Sequence, residues 1–113
     1  MTVLDQNQLK AVCDGVLEIY RSEYDMAAVK PSAYLAEELL VCVFQESSDR
    51  SPPGAEVAAM ASRTAFQRAN EERFTEVVER ETGCHVTTFM SANHVAEGVF
   101  AELFFLGPTQ TTV

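Results

Sequence analysis

Two apolar runs place the firmest limits on the fold, at residues 39–45 (LLVCVFQ) and 99–106 (VFAELFFL). Both are rich in β-branched and aromatic residues, which favour strands. The first run is apolar at almost every position, which indicates burial on both faces of a sheet or contact with a second subunit. A polar break at residues 36–38 precedes the first run, and Gly107-Pro108 is expected to stop the second.

Two weaker segments complete the predicted strands. Residues 29–35 can form a short strand, but Pro31 cannot donate to a ladder, so this strand is expected at an edge or to begin there. Residues 84–90 (CHVTTFM) form the third strand in chain order. Residues 91–98 (SANHVAEG) are turn-rich and predict a connector before the last strand.

Helical periodicity marks the segment before the first pair of strands. In residues 7–24, Leu9, Val12 and Val16 recur at spacings of three and four, and charged residues fill the other side. Gly15 interrupts this helix at a cost of about 1 kcal/mol relative to Ala, so we expect it to mark close packing against another element. Residues 25–28 form the connector that follows.

A second helix is predicted from residue 53 or 54 to residue 82. Residues 46–53 (ESSDRSPP) form a loop by composition, with Ser51 as a candidate cap. The middle of the helix, residues 67–73, is strongly polar, so the helix is expected to be exposed or kinked there. Gly83 is a candidate C-cap.

The element order predicts an α+β protein with a two-layer αββαββ arrangement, in which an antiparallel four-stranded sheet carries two helices on one face. A chain of 113 residues is the size of one domain. We expect that domain at residues 8–108, between an N-terminal lead at 1–7 and a flexible tail at 109–113.

Charge and cysteine usage exclude several classes of function. Lys and Arg total 8 and Asp and Glu total 17, which gives a net charge of −9. Nucleic acid is therefore not an expected ligand, and anionic membrane surfaces are disfavoured. Cys13, Cys42 and Cys84 form no CxxC pair, which fits small core residues in a reducing compartment. The polar first ten residues predict no signal peptide, and no apolar stretch is long enough for membrane insertion, so a cytoplasmic location is expected.

The last strand predicts a binding surface. Phe100, Phe104 and Phe105 make both of its faces apolar, and two helices on one side cannot bury both. Because large open apolar patches are rare on monomers, we expect either a homodimer or an open docking surface, with these three residues as anchors.

Candidate chemistry is sparse. His94, with Asn93, lies in the predicted connector and can serve as a base if Glu97, Asp25 or Cys42 comes close; otherwise it is a loop residue. His85 and Cys84 are neighbours on a strand and are expected to point to opposite faces.

The second helix carries an acidic run that includes Glu72, Glu76 and Glu79. It is either a solvated helix face or a docking surface for a basic partner. No spacing of oxygen, nitrogen or sulfur ligands matches a metal site, so we expect no catalytic residue, metal ion or cofactor.

Residues 74–86 (FTEVVERETGCHV) resemble a helix-to-strand junction of the bacterial MpsC-like family, named for a sodium-translocating, membrane-potential-generating system. Members of that family carry the run Glu-x-x-Thr-Gly-Cys-x-Val. This chain matches it with Glu79, Thr82, Gly83, Cys84 and Val86. Residues 87–108 resemble its last two strands, and residues 16–24 and 35–44 resemble its first helix and first hairpin. Residues 24–28 and 51–56 depart from the family pattern.

The resemblance implies a non-enzymatic accessory or regulatory subunit that partners a membrane ion or inorganic-carbon transport protein. Two other hypotheses remain open. One is a small-molecule sensor whose pocket, between sheet and helices, is lined by aromatic residues and a thiol: Tyr20, Tyr34, Cys42, Phe89 and Phe104. The other is a small enzyme that uses His94 with a nearby carboxylate.

Overall fold

The computed structural model describes residues 2–24, 29–46 and 54–109. These residues form three α-helices and a four-stranded antiparallel sheet, so the predicted α+β class is confirmed. In chain order the elements are α1 (Gln6–Tyr24), β1 (Val29–Ala36), β2 (Leu39–Glu46), α2 (Glu56–Ala69), α3 (Glu71–Thr82), β3 (Cys84–His94), a 3₁₀ turn (Val95–Glu97) and β4 (Val99–Thr109).

The strand order β1-β2-β4-β3 places the two most apolar predicted strands, β2 and β4, at the centre of the sheet. The hairpin of β1 and β2 pairs Ala36 with Leu39, and Glu37 in the turn has a positive φ of 55°. In the second hairpin Gly98 takes the left-handed conformation after the 3₁₀ turn. β1 is an edge strand, as its Pro31 predicts.

Alternation along the central strands divides the sheet into an inner and an outer face. Leu40, Cys42 and Phe44 of β2 are buried on the inner face, against the helices. The register places Phe104 beside Leu40 and Phe100 beside Phe44 on the same face. The outer face carries the alternate residues of each strand.

An irregularity in the pairing of β3 with β4 changes which residues of β3 face the core. The pairing with β4 shifts between Cys84 and Val86 and again between Val86 and Thr88. An extra residue in one strand of a pair produces such a shift and changes which side chains face inward. As a result both Val86 and Phe89 lie on the core side.

Helices α1 and α3 supply most of the inner layer. Val12, Val16 and Tyr20 of α1 share one core cluster with Phe74 and Val78 of α3. The predicted role of Gly15 is confirmed, because a Cβ at this position would lie 2.6 Å from Cγ1 of Val77 in α3.

The sequence predicts one continuous second helix. This prediction is wrong in one respect, because the segment forms two helices, α2 and α3. Asn70 ends α2 and begins α3 with a non-helical φ of −110° and ψ of 12°. Its side-chain amide donates to the carbonyl of Phe66 at 3.0 Å, and its own carbonyl accepts from Phe74 N at 3.0 Å. The break falls within the polar stretch where a kink was expected, and Gly83 ends α3 in the left-handed conformation, as predicted.

The predicted connector at residues 91–98 is also wrong over its first half. Residues 91–94 continue β3, because each of them pairs with a residue of the central strand β4. β4 likewise continues through Gly107-Pro108 to Thr109. Its pairing with β2 ends at Phe105, so Pro108 lies where β4 has one neighbouring strand and the missing N–H is tolerated.

The first residue of the predicted loop at 46–53, Glu46, ends β2, and the first residue of the predicted tail at 109–113, Thr109, ends β4. The connector at 25–28, the rest of that loop with its candidate cap Ser51, and the rest of that tail lie outside the described residues. None of the helices described in this structure is both long and apolar enough to cross a bilayer.

Candidate functional site

The outer face of the sheet is an ordered array of largely uncharged side chains. Cross-strand pairing arranges it in four rows, each read from β1 through β2 and β4 to β3. The rows are Lys30, Gln45, Val99 and His94; Ser32, Val43, Ala101 and Ala92; Tyr34, Val41, Leu103 and Met90; and Ala36, Leu39, Phe105 and Thr88. The chain has 8 basic and 17 acidic residues. Among the paired positions of the outer face, however, only Lys30, at one corner, carries a Lys, Arg, Asp or Glu side chain.

Large apolar side chains on the outer face are open to solvent. Tyr34 is 60% exposed, Met90 52% and Phe105 38%. The described helices contact the inner face, where the buried strand residues lie. Exposed contiguous apolar surface of this kind is typical of protein interaction sites.

The size of the outer face suits a modest protein interface. Four strands about 4.8 Å apart, over seven residues of about 3.3 Å each, cover a flat area of roughly 400 Å². Because side chains project from the sheet, its accessible area is larger than this flat area. It therefore approaches the smallest area that specific interfaces bury, about 600 Å² per partner.

The structure corrects two of the three predicted anchors. Phe100 and Phe104 are buried on the inner face, where Phe100 stacks on Phe44 with ring centroids 5.1 Å apart. Phe105 lies on the outer face. The reason is strand alternation: residues of even number in β4 face the helices, and those of odd number face away.

A second feature lies on the inner face, where a carboxylate interrupts the apolar layer. Glu102 is completely buried in β4, between Phe100 and Phe104 on the same face. Its Oε1 accepts from Ser91 Oγ at 2.9 Å, and its Oε2 accepts from Tyr20 Oη at 3.3 Å and from Gln67 Nε2 at 3.1 Å. Each carboxylate oxygen therefore has a donor.

Gln67 and Asn93 extend this group, which we call the Glu102 cluster: Tyr20, Gln67, Ser91, Asn93 and Glu102. Asn93 Nδ2 donates to Gln67 Oε1 at 2.8 Å, and Gln67 Nε2 lies 3.1 Å from Asn93 Oδ1. Gln67 also donates to Tyr20 Oη at 3.1 Å. The cluster joins α1, α2, β3 and β4 through side chains alone.

Burial changes the acidity of the cluster. Removal from water raises the pKa of Glu102 to about 7, against the opposing effects of its hydrogen bonds and of Arg63. Burial, and then the negative charge of Glu102, raise the pKa of Tyr20. Glu102 is thus a carboxyl group that changes its protonation state near neutral pH.

The cysteines are buried and free, as small core residues are expected to be. A hydrogen bond between the Cys13 and Cys42 side chains lowers the pKa of Cys13, and the same contact together with burial raises the pKa of Cys42.

His94 and Asn93 do not form a common site. As neighbours in β3 they face opposite ways: Asn93 points into the Glu102 cluster, whereas His94 is exposed at the end of the outer face. His94 Nδ1 accepts from Glu97 N at 3.3 Å and so caps the 3₁₀ turn. Cys42 lies on the inner face, away from His94, and Asp25 lies outside the described residues.

The three predicted acidic residues lie along a shallow groove of about 400 Å³ between α3 and β3. Glu72 and Glu76 are exposed. Glu79 is tied to the sheet, because its Oε2 accepts from Val86 N at 2.9 Å and lies 3.0 Å from Nδ1 of His85. The expected docking of a basic partner on this helix stays a prediction.

The residues of the hypothetical sensor pocket do not surround one space. Tyr20, Cys42 and Phe104 are packed in the core, and Phe89 packs against it, 5.3 Å from Phe104 between ring centroids. Tyr34 lies on the outer face. In the described ranges no group of three His, Cys, Asp or Glu residues is placed to hold a metal ion.

Sequence reasoning missed the Glu102 cluster and the central row of the outer face. A usable signal was present: Glu102 is the acidic residue within the apolar run 99–106 and has the same parity as Phe100 and Phe104. Its partners were not detectable, because Tyr20 and Gln67 come from two separate helices.

Comparison with known proteins adds no relative: neither the family models, nor the curated proteins, nor the solved structures contain a match to this chain.

Proposed function

We propose that this chain is a non-enzymatic protein interaction module that pairs with a second copy of itself through the outer face of its sheet. The observation that carries the proposal is the largely uncharged outer face, with Tyr34, Met90 and Phe105 exposed on it. Burial of such a surface is the main favourable contribution to most protein associations.

Charge distribution favours a second copy as the occupant. The chain carries a net charge of −9, so two copies repel each other wherever their acidic surfaces meet. The outer face holds no Asp or Glu among its paired positions, so two copies can approach here without bringing carboxylates together. A two-fold arrangement places the same apolar rows on both sides, as symmetric dimers require.

Molar mass as a function of concentration tests this proposal, with two variants that add the same charge at different places. Phe105→Glu puts a carboxylate on the outer face, whereas Val57→Glu puts one on α2, where Val57 is 82% exposed. We expect the wild type and Val57→Glu to sediment at twice the chain mass of 12.5 kDa, and Phe105→Glu to sediment as a single chain.

A wild type that stays a single chain at millimolar concentration would overturn self-pairing and assign the face to a different occupant. Equal dimerisation by both variants would place the dimer contact elsewhere. Circular dichroism of Phe105→Glu verifies that loss of pairing does not reflect loss of the fold.

We further propose that the paired module acts as an accessory or regulatory subunit of a membrane ion or inorganic-carbon transport system. The support is the resemblance of residues 74–86 to the MpsC-like family. Sodium efflux and bicarbonate uptake, measured in a deletion strain complemented with wild type or with Phe105→Glu, test it. Restoration by the wild type alone supports the role, and unaltered transport in the deletion strain contradicts it.

A further inference from the structure

Helix α2 is held to the sheet mainly by polar side chains. Of the α2 side chains that the structure describes, Arg63 and Gln67 are the buried ones. By contrast, α3 buries an apolar set that includes Phe74, Val77 and Val78. Apolar burial resists separation of helix and sheet at any pH, whereas polar tethers depend on the charge state of their partners.

Two tethers hold α2. Gln67 is hydrogen-bonded to Tyr20, Asn93 and Glu102, as described above. The Arg63 guanidinium pairs with the carboxylate of Glu46 and lies 4.3 Å from the ring centroid of Phe100. Phe66 adds partly buried aromatic contacts, with its ring centroid 4.8 Å from that of Tyr20 and 6.2 Å from that of Phe74.

The groups that surround Glu102 come from four elements. They are Tyr20 of α1, Arg63 and Gln67 of α2, Cys42 of β2, and Ser91 and Asn93 of β3. Arg63 is the cation among them, and its guanidinium is shared with Glu46. Ser91 is exposed although its hydroxyl reaches Glu102, so it joins the buried carboxyl to solvent.

We propose that α2 is a proton-linked lid, whose opening from the sheet becomes more frequent when Glu102 ionises. The proton passes from the carboxyl group to water, with Ser91 as the nearest solvent-exposed group. Release uncovers the inner-face rings of Tyr20 and Phe100. The proposal concerns the inner face and is independent of pairing through the outer face.

The direction follows from linkage. With α2 docked, burial raises the pKa of Glu102 to about 7, although Arg63 and three hydrogen bonds oppose the rise. Lifting α2 admits water, which favours the charged form and returns the pKa towards its ordinary value of 4.5. The state that ionises more readily gains population as pH rises.

Hydrogen exchange resolved by residue tests the lid, with intrinsic exchange rates divided out. If release restores the ordinary pKa, the opening constant of α2 rises about 30-fold between roughly pH 5.5 and pH 8.5. We expect α2 amides to be less protected than α3 amides at both pH values, because α2 opens by itself and α3 opens only with the whole domain.

The isosteric variant Glu102→Gln removes the titration and keeps the side-chain size. In it we expect the opening constant of α2 to change less than about twofold over the same pH range. Glu72→Gln, at an exposed site on α3, is the matched control and is expected to behave as the wild type does.

Two results would overturn the proposal. Equal protection of α2 and α3 in the wild type would mean that α2 has no opening of its own, a comparison that needs no variant. An α2 opening constant in the wild type that is the same at both pH values would mean that Glu102 does not control it.

Discussion

Phe104 and Phe105 are adjacent in β4 and lie on opposite faces of the sheet. Phe104 is buried and contacts Phe89 and the core, whereas Phe105 faces outwards beside Leu39. Two identical side chains one residue apart therefore have different surroundings, one in the core and one on the outer face. This pair offers a direct comparison, because the same substitution can be made at both positions.

We expect Phe104→Ala to lower the free energy of unfolding by about 3–5 kcal/mol, since it opens a cavity in the core. Phe105→Ala is expected to lower it by about 1 kcal/mol or less when the protein is dilute enough to be monomeric. Urea unfolding at low protein concentration measures both values. Equal losses would contradict the assignment of the two faces.

Whether Gly15→Ala raises or lowers the free energy of unfolding depends on one neighbour, Val77. Ala is the better helix former by about 1 kcal/mol, but its Cβ would lie 2.6 Å from Cγ1 of the stiff, buried Val77 side chain. We expect Gly15→Ala to destabilise the protein by about 1–3 kcal/mol through overpacking.

In a Val77→Ala background the clash is absent, and the same Gly15→Ala change is expected to stabilise. A double-mutant cycle of urea unfolding energies measures this reversal. Destabilisation by Gly15→Ala in both backgrounds would show that contact with Val77 is not the cause.

Gly83 tests a purely conformational effect. Its φ is 71° and nothing lies within 4 Å of the position that a Cβ would take, so a substitution meets strain but no clash. We expect Gly83→Ala to cost about 1 kcal/mol, and Gly83→Asn to cost less because Asn tolerates the left-handed conformation. A thermal unfolding midpoint of Gly83→Ala equal to or above that of the wild type would contradict a conformational role for Gly83.

Glu102 predicts a pH dependence of the global stability. Its pKa is about 7 in the folded protein and near the ordinary 4.5 in the unfolded chain. The unfolded chain therefore loses its proton first as pH rises, and stability falls from about pH 4.5 to a plateau above pH 7, by about 3 kcal/mol in total.

The difference between wild type and Glu102→Gln in urea unfolding, measured from acid to alkaline pH, isolates this contribution. Glu72→Gln, which alters the net charge equally, serves as the control. A wild-type minus Glu102→Gln difference that is constant across the range would contradict the assignment of the titrating group.

Local patterns predicted the parts of the fold that local physics decides. The three- and four-residue spacing of α1, the β-branched run of β2 and the glycine at the end of α3 each carry their own signal. The strand at residues 91–94 carries none, because Ser, Ala, Asn and His have little preference for strands, and pairing with the central β4 decides their conformation.

The sites were harder to predict for a related reason. Alternation groups Phe100 with Phe104 and separates both from Phe105, but which group faces the helices depends on packing between distant segments. The Glu102 cluster depends on the same long-range packing, since Tyr20 and Gln67 are 47 residues apart in the sequence and lie on different helices.

Two methionines allow the most direct test of pairing through the outer face. Met90 lies on that face and is 52% exposed, and Met60 lies on α2 and is 37% exposed. Peroxide oxidation of both can be followed by peptide mass spectrometry over a range of protein concentrations. We expect Met90 to become severalfold slower to oxidise as concentration rises while Met60 does not change; equal, concentration-independent oxidation of both methionines would contradict pairing through the outer face.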